Sequence, residues 1–114
     1  MKAWSAALAA EMRDWPQLSQ KVFFGFTALY RGRNMFGMLP RTRSILKGNA
    51  VAFRLDGANQ ATRARLEKDP RIDAFDKDKT RWFTFELSRD EDLHDALDWL
   101  AAAYQRAGNP RKST

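Results

Sequence analysis

Lys21–Leu39 reads KVFFGFTALYRGRNMFGML, and how this stretch divides decides the fold. Lys21–Tyr30 is aromatic and β-prone. It is apolar on both alternating sets, with Phe23 and Leu29 on one and Val22, Phe24, Phe26 and Tyr30 on the other. A strand apolar on both sides is expected to be central or covered on both faces. Arg31-Gly32 supplies a turn, since Gly32 takes a positive φ at little steric cost. Arg33–Leu39 then reads as the return strand, ended by Pro40.

Upstream of this hairpin, Trp4, Ala7, Leu8, Met12 and Trp15 recur at spacings of three and four. That periodicity predicts a helix over Ala3–Trp15, stopped by Pro16. Downstream, Arg41–Asn49 reads as a loop with Gly48-Asn49 as a second turn, and Ala50–Leu55 as a third strand. In that strand Val51, Phe53 and Leu55 face one way. A short helix capped by Asn59 and running to about Lys68 follows, broken by Asp69-Pro70. Arg71–Phe75 and Arg81–Leu87 read as the fourth and fifth strands, joined by the solvated turn Asp76–Thr80.

Ser88 opens the last helix, with Glu91 three residues on to complete a capping box. Its expected buried stripe is Leu93, Ala96, Leu97, Leu100, Ala101 and Tyr104, and Gly108-Asn109-Pro110 ends it. The order is α-β-β-β-α-β-β-α. We therefore expect an α+β fold, a five-stranded antiparallel sheet with three helices packed on it. One domain over residues 1–110 is expected, with 111–114 as a loose tail.

The composition suits such a domain. In 114 residues the hydrophobic fraction is 44% with four Trp and eight Phe, enough for a core without covalent staples. There is no cysteine, so no disulfide, thiolate nucleophile or cysteine metal site is possible. A cytoplasmic location fits that usage. The apolar run at the start is too short for a secretion signal, and no stretch approaches the ~20 apolar residues of a membrane-spanning helix.

The formal net charge is +6, and its distribution is uneven. From Lys21 to Leu55 the chain carries Lys21, Arg31, Arg33, Arg41, Arg43, Lys47 and Arg54 with no acidic residue among them. Arg31, Arg33, Arg41, Arg43 and Lys47 are the candidate anion-binding residues, since cations on one surface suit phosphate oxygens. Phe24, Phe26 and Trp82 are candidates for stacking on bases.

Catalysis finds little to work with. His94 is the single histidine, placed early in the last helix, and reads as a surface residue. The acidic group Asp90, Glu91, Asp92, Asp95 and Asp98 lacks the glycine-centred loop of a calcium site, and acidic residues suit a helix start. No phosphate-cradling glycine loop and no nucleophile elbow are present. No catalytic residue, metal or cofactor is therefore expected.

Phe24-Gly25, Gly32 at the turn, Met35-Phe36 on the return strand, Val51–Leu55 (VAFRL) and Trp82 with the closing helix through Trp99 and Tyr104 carry a resemblance. On these residues the chain resembles the TfoX/Sxy N-terminal-domain family over roughly Lys21–Ala107. YjbR-like domains share a similar order of elements. The resemblance implies an α-β(3)-α-β(2)-α fold. The best-known longer members are bacterial competence regulators with a second domain, for which this chain is expected to have no room.

Three functions are consistent with this reading. The first is a non-catalytic, TfoX-N-terminal-like protein-interaction or regulatory module, with self-association included. The second is nucleic-acid or polyanion binding through the basic residues between 31 and 47. The third is a small-molecule site between sheet and helix, lined by Phe and Trp.

Overall fold

A computed structural model describes residues 3–23, 25–40, 50–55, 60–74 and 82–108. Helix α1 spans Ala3–Met12, followed by strands β1 Leu18–Phe23, β2 Phe26–Arg31, β3 Asn34–Pro40 and β4 Ala50–Arg54. Helix α2, Gln60–Lys68, leads to β5 Ile72–Ala74 and β6 Trp82–Glu86, and α3, Glu91–Gly108, closes the chain. The six strands form one antiparallel sheet in the order β1-β2-β3-β4-β6-β5.

The α+β class, the antiparallel sheet and the three helices agree with expectation; the strand count does not. The sheet has six strands rather than five, and the element order is α-β-β-β-β-α-β-β-α. The run expected to be one strand, Lys21–Tyr30, is two strands folded into a hairpin. Phe23 pairs with Phe26 across a two-residue connection, and Gly25 has φ 82°. A two-residue hairpin loop needs positive φ, which glycine adopts without strain. Apolar residues on both alternating sets therefore reflect two strands with different neighbours, not one central strand. The turn at Gly32, φ 59°, is where it was expected.

Helix α1 ends at Met12, three residues short of expectation. Pro16 pushes Trp15 out of the helical region, and the chain turns through Trp15 N–H to Met12 O (3.0 Å) and Leu18 N–H to Trp15 O (3.2 Å). Trp15 still packs inward, its ring 4.9 Å from that of Tyr104, whose hydroxyl donates to the Pro16 carbonyl. Met12 is buried, and Trp4 and Trp15 pack partly buried against the core, as their spacing implied.

Cross-strand partners share a face of the sheet. Leu29, Gly37, Phe53 and Phe83 form one such row. This row lies under α3: the Phe53 ring stacks 5.5 Å from Trp99 and 5.8 Å from Phe83. Helix and sheet approach closely at Gly37, where a Cβ would stand 3.0 Å from Leu100 Cδ2 and 3.2 Å from the Ala52 carbonyl. A bulge sets Leu29 opposite Gly37 and Tyr30 opposite Met35. The extra residue, Phe36, meets the Tyr104 ring edge-on at 5.6 Å. The buried stripe of α3 is Asp92, Ala96, Trp99, Leu100, Ala103 and Tyr104; Leu93, Leu97 and Ala101 are only half-buried.

The cap of α3 also departs from expectation. Glu91 is exposed and sits 3.4 Å from Arg89. Asp92 makes the return contact instead: its Oδ2 accepts from Ser88 N–H (2.8 Å), Arg89 N–H (3.0 Å) and the Ser88 hydroxyl (3.3 Å). The helix starts at Glu91, so the residue after it is the one that reaches back to the amides of Ser88 and Arg89, just ahead of the first turn.

Candidate interaction surface

Of the five cations expected to share a surface, Arg31 and Arg33 lie among the described residues. Arg41, Arg43 and Lys47 lie outside the described residues, as do Phe24 and the whole stretch 41–49 expected to be a loop. Arg31 serves the fold. Its Nη1 donates to the Tyr104 carbonyl at 3.1 Å and its guanidinium lies 4.2 Å over the Tyr104 ring. Beside it, Asn34 Nδ2 donates to the Ala107 carbonyl at 2.9 Å. The β2–β3 hairpin thus caps the last turn of α3, where a cation also opposes the helix dipole. Arg33 is exposed in the turn. Phe26 and Trp82 are half-buried on β2 and β6.

Of the acidic group at the start of α3, Asp92 and Asp95 are used internally, by Arg71. Arg71 Nη1 meets Asp92 Oδ1 at 2.7 Å and Asp95 Oδ2 at 3.0 Å, while Arg71 Nη2 and Nε engage Asp69 at 2.8 and 2.9 Å. The guanidinium also lies 4.6 Å over the Phe85 ring. Hydrogen bonds from the Ser88 amide, from Arg71 and from Arg89 hold the Asp92 carboxyl down at about 2, overcoming its burial. Asp69 is likewise lowered, chiefly by its hydrogen bonds to Arg71. His94 is exposed, with Asp98 Oδ2 at 3.6 Å from Nε2. The described residues hold no group of three or more His, Asp or Glu placed to bind a metal. No described helix is long and apolar enough to cross a membrane.

Hollows lie on the rim of the described structure. One of about 500 Å³ is bounded by Arg65, Lys68, Arg71, Asp95, Asp98 and Trp99. Another of about 470 Å³ lies between α1 and α3, against Leu8, Leu93 and Leu97. A third, also about 470 Å³, runs between α1 and β1, lined by Ala6, Ala9, Ala10, Arg13, Leu18 and Gln20.

The third hollow adjoins the most exposed element of the sheet. β1 is an edge strand, and Ser19, Gln20, Lys21 and Val22 are all exposed. Val22 is the one large hydrophobic side chain standing out among the described residues, at 57% exposure. Lys21, the single charge on β1, turns back over the sheet with its Nζ 5.4 Å from the Tyr30 ring centroid. The strand is anchored from α1, where the Ala9 carbonyl accepts from Gln20 Nε2 at 3.2 Å. The opposite edge, β5, is only three residues long. Reading Lys21–Tyr30 as one strand concealed this edge; Gly25 in mid-run was the signal that could have exposed it.

Comparison of the chain with models of known protein families, with curated proteins and with solved structures finds no match.

Proposed function

We propose that the chain is a non-catalytic protein-interaction module that works through the outer edge of β1. The observation that carries this reading is a six-residue edge strand with four consecutive exposed residues and an outstanding Val22. Sheet edges are ordinarily blunted by short length, proline, bulges or outward charge, because unpaired backbone groups template another strand. β1 has no proline, its register with β2 is unbroken, and its lysine folds back. An added strand would gain main-chain hydrogen bonds from the edge and side-chain contacts from the α1–β1 hollow.

Because the chain has no cysteine, a Val22→Cys variant carries one unique attachment point for a crosslinker. In an extract of the native host it is expected to yield defined adducts that excess wild-type protein competes away and excess Val22→Pro protein does not. Equal competition by both proteins would contradict the reading.

A second reading, polyanion binding, rests on the acid-free run of cations from Lys21 to Leu55. It requires that an Arg41→Glu/Arg43→Glu variant lose DNA binding and flatten the dependence of log K on log salt, which is roughly −0.9 per duplex phosphate contacted. Unchanged binding by that variant would remove it.

A further inference from the structure

The register of β1 against β2 shows which of its backbone groups are spoken for. Partners pair as Phe23 with Phe26 through Leu18 with Arg31, and one step further out the Gly32 N–H donates to the Gln17 carbonyl at 3.0 Å. The Gln17 carbonyl thus faces β2. Backbone groups alternate sides along a strand, so Ser19 and Lys21 also direct theirs to β2. Leu18, Gln20 and Val22 direct theirs outward. Of these, the Leu18 N–H donates to Trp15 O. The outer edge therefore centres on Gln20 and Val22.

The side chains on this edge are two-faced. Leu18, Gln20 and Val22 lie on the helical side, shared with Leu29 and Leu39, while Ser19 and Lys21 lie on the other. On the helical side a projection and a hollow stand next to each other. Val22 projects near one end of the strand; Leu18, at the other end, floors the hollow of about 470 Å³ under Ala6, Ala9 and Ala10.

Resting on the reading of β1 as the contact surface, we infer that its occupant is β1 of a second copy of this chain. The two strands pair antiparallel about a two-fold axis at Gln20. Such an interface is isologous, so every feature must be complementary to itself under the rotation. In this register Gln20 meets Gln20 and exchanges both backbone hydrogen bonds. Val22 N–H of each copy faces the Leu18 carbonyl of the other, which needs nothing from the occupied Leu18 N–H.

Val22 of each copy is seated beside Leu18 at the α1–β1 hollow of the other, and each Lys21 faces an uncharged Ser19. Shifting the axis to Lys21 would set lysine against lysine on directly opposed positions, which is destabilising. Shifting it to Val22 would bring Val22 onto Val22 and leave both hollows empty. The two sheets join into one, with both helical layers on the same side.

The test uses the full chain, by sedimentation equilibrium over a concentration series. The expected result is a mass rising from 13.1 kDa toward twice that value. Val22→Pro removes one outward donor per copy without touching a β1–β2 bond, and is expected to weaken association by about tenfold or more. Val22→Lys is the second variant, expected to act in the same direction, and wild-type circular dichroism shows that each variant is folded.

For the register, Ser19→Cys and Lys21→Cys are expected to form a mixed disulfide on oxidation when the two proteins are combined. Lys21→Cys alone linking to itself would overturn the Gln20-centred pairing. A single-chain mass at every concentration, or association that neither Val22 variant weakens, overturns the inference. In a monomeric wild type, competition that still distinguishes Val22→Pro keeps the β1 edge as a contact for another protein; loss of both effects removes both readings.

Discussion

Arg71 Nη1 lies 2.7 Å from Asp92 Oδ1, and this pair ties the start of β5 to the first turn of α3. Asp92 is 1% exposed and satisfies three groups of the Ser88–Arg89 segment with its other oxygen. Arg71, 29% exposed, bridges Asp69, Asp92 and Asp95 while covering Phe85. Asp92 and Asp95, which in sequence read only as acidic residues suited to a helix start, thus tie the last helix to Arg71 at the start of β5.

Asp92→Ala should therefore be costly. It removes a cap, for which loss of ~0.5–2 kcal/mol is usual, and one partner of a mostly buried ion pair, although Arg71 keeps Asp69 and Asp95. We expect a loss of about 2–3 kcal/mol in urea unfolding. Asp95→Ala, whose carboxylate is nearly half exposed, should cost less than about 1 kcal/mol. Equal losses would show that Asp92 does not hold the privileged place assigned to it.

The same pair sets an acid limit. Asp92 is held at about 2 in the folded protein, below its ordinary value of 3.8, and Asp69 is lowered in the same direction. A carboxylate lowered by folding contributes stability that is fully present above its unfolded value. That contribution is lost as pH falls from there through the folded value. Stability should decline between about pH 4 and 2, and the Asp92→Asn variant should show a shallower decline over that window. Parallel curves would contradict the assignment.

Gly37→Ala should destabilise by overpacking. Its Cβ would fall 3.0 Å from Leu100 Cδ2 and 3.1 Å from Leu29 Cδ1, with the Ala52 carbonyl at 3.2 Å leaving no room to retreat. A cost of about 1–3 kcal/mol is expected. The penalty should shrink in a Leu100→Ala background, which calorimetric melting of the four proteins would show.

Gly108 and Arg31 are expected to be coupled. A Cβ at Gly108 would overlap the Arg31 guanidinium, so alanine there must displace Arg31 from the Tyr104 carbonyl and ring. Alanine favours a helix over glycine by about 1 kcal/mol. Gly108→Ala should accordingly be near neutral in the wild type and stabilising in an Arg31→Ala background. Additive effects in that double-mutant cycle would contradict the contact.

Much of this architecture is legible from local pattern. Val51, Phe53 and Leu55 alternate in sequence and all three are buried in the core, and Trp4, Leu8 and Met12 mark the inner side of α1. The Gly32 turn is visible because glycine after arginine has an evident backbone role. The Gly25 turn is not, because Phe23 to Phe26 are all β-prone around it and nothing polar announces a loop.

Arg31 and Asp92 were illegible for another reason. Their partners, Tyr104 and Arg71, lie 73 and 21 residues away, and no spacing rule connects them. The candidate surface suffered most from these two gaps. Missing β1 as a strand concealed the sheet edge, and counting Arg31 by charge alone concealed that it caps a helix.

The central claim, that the outer edge of β1 is a contact surface occupied by a second copy, is read most directly from amide exchange at Gln20 and Val22. Both N–H groups point away from β2. If the strands pair, exchange at these two amides should slow as protein concentration rises, while Ser19 and Lys21, bonded to β2, stay protected throughout. Fast exchange at Gln20 and Val22 at every concentration would contradict it.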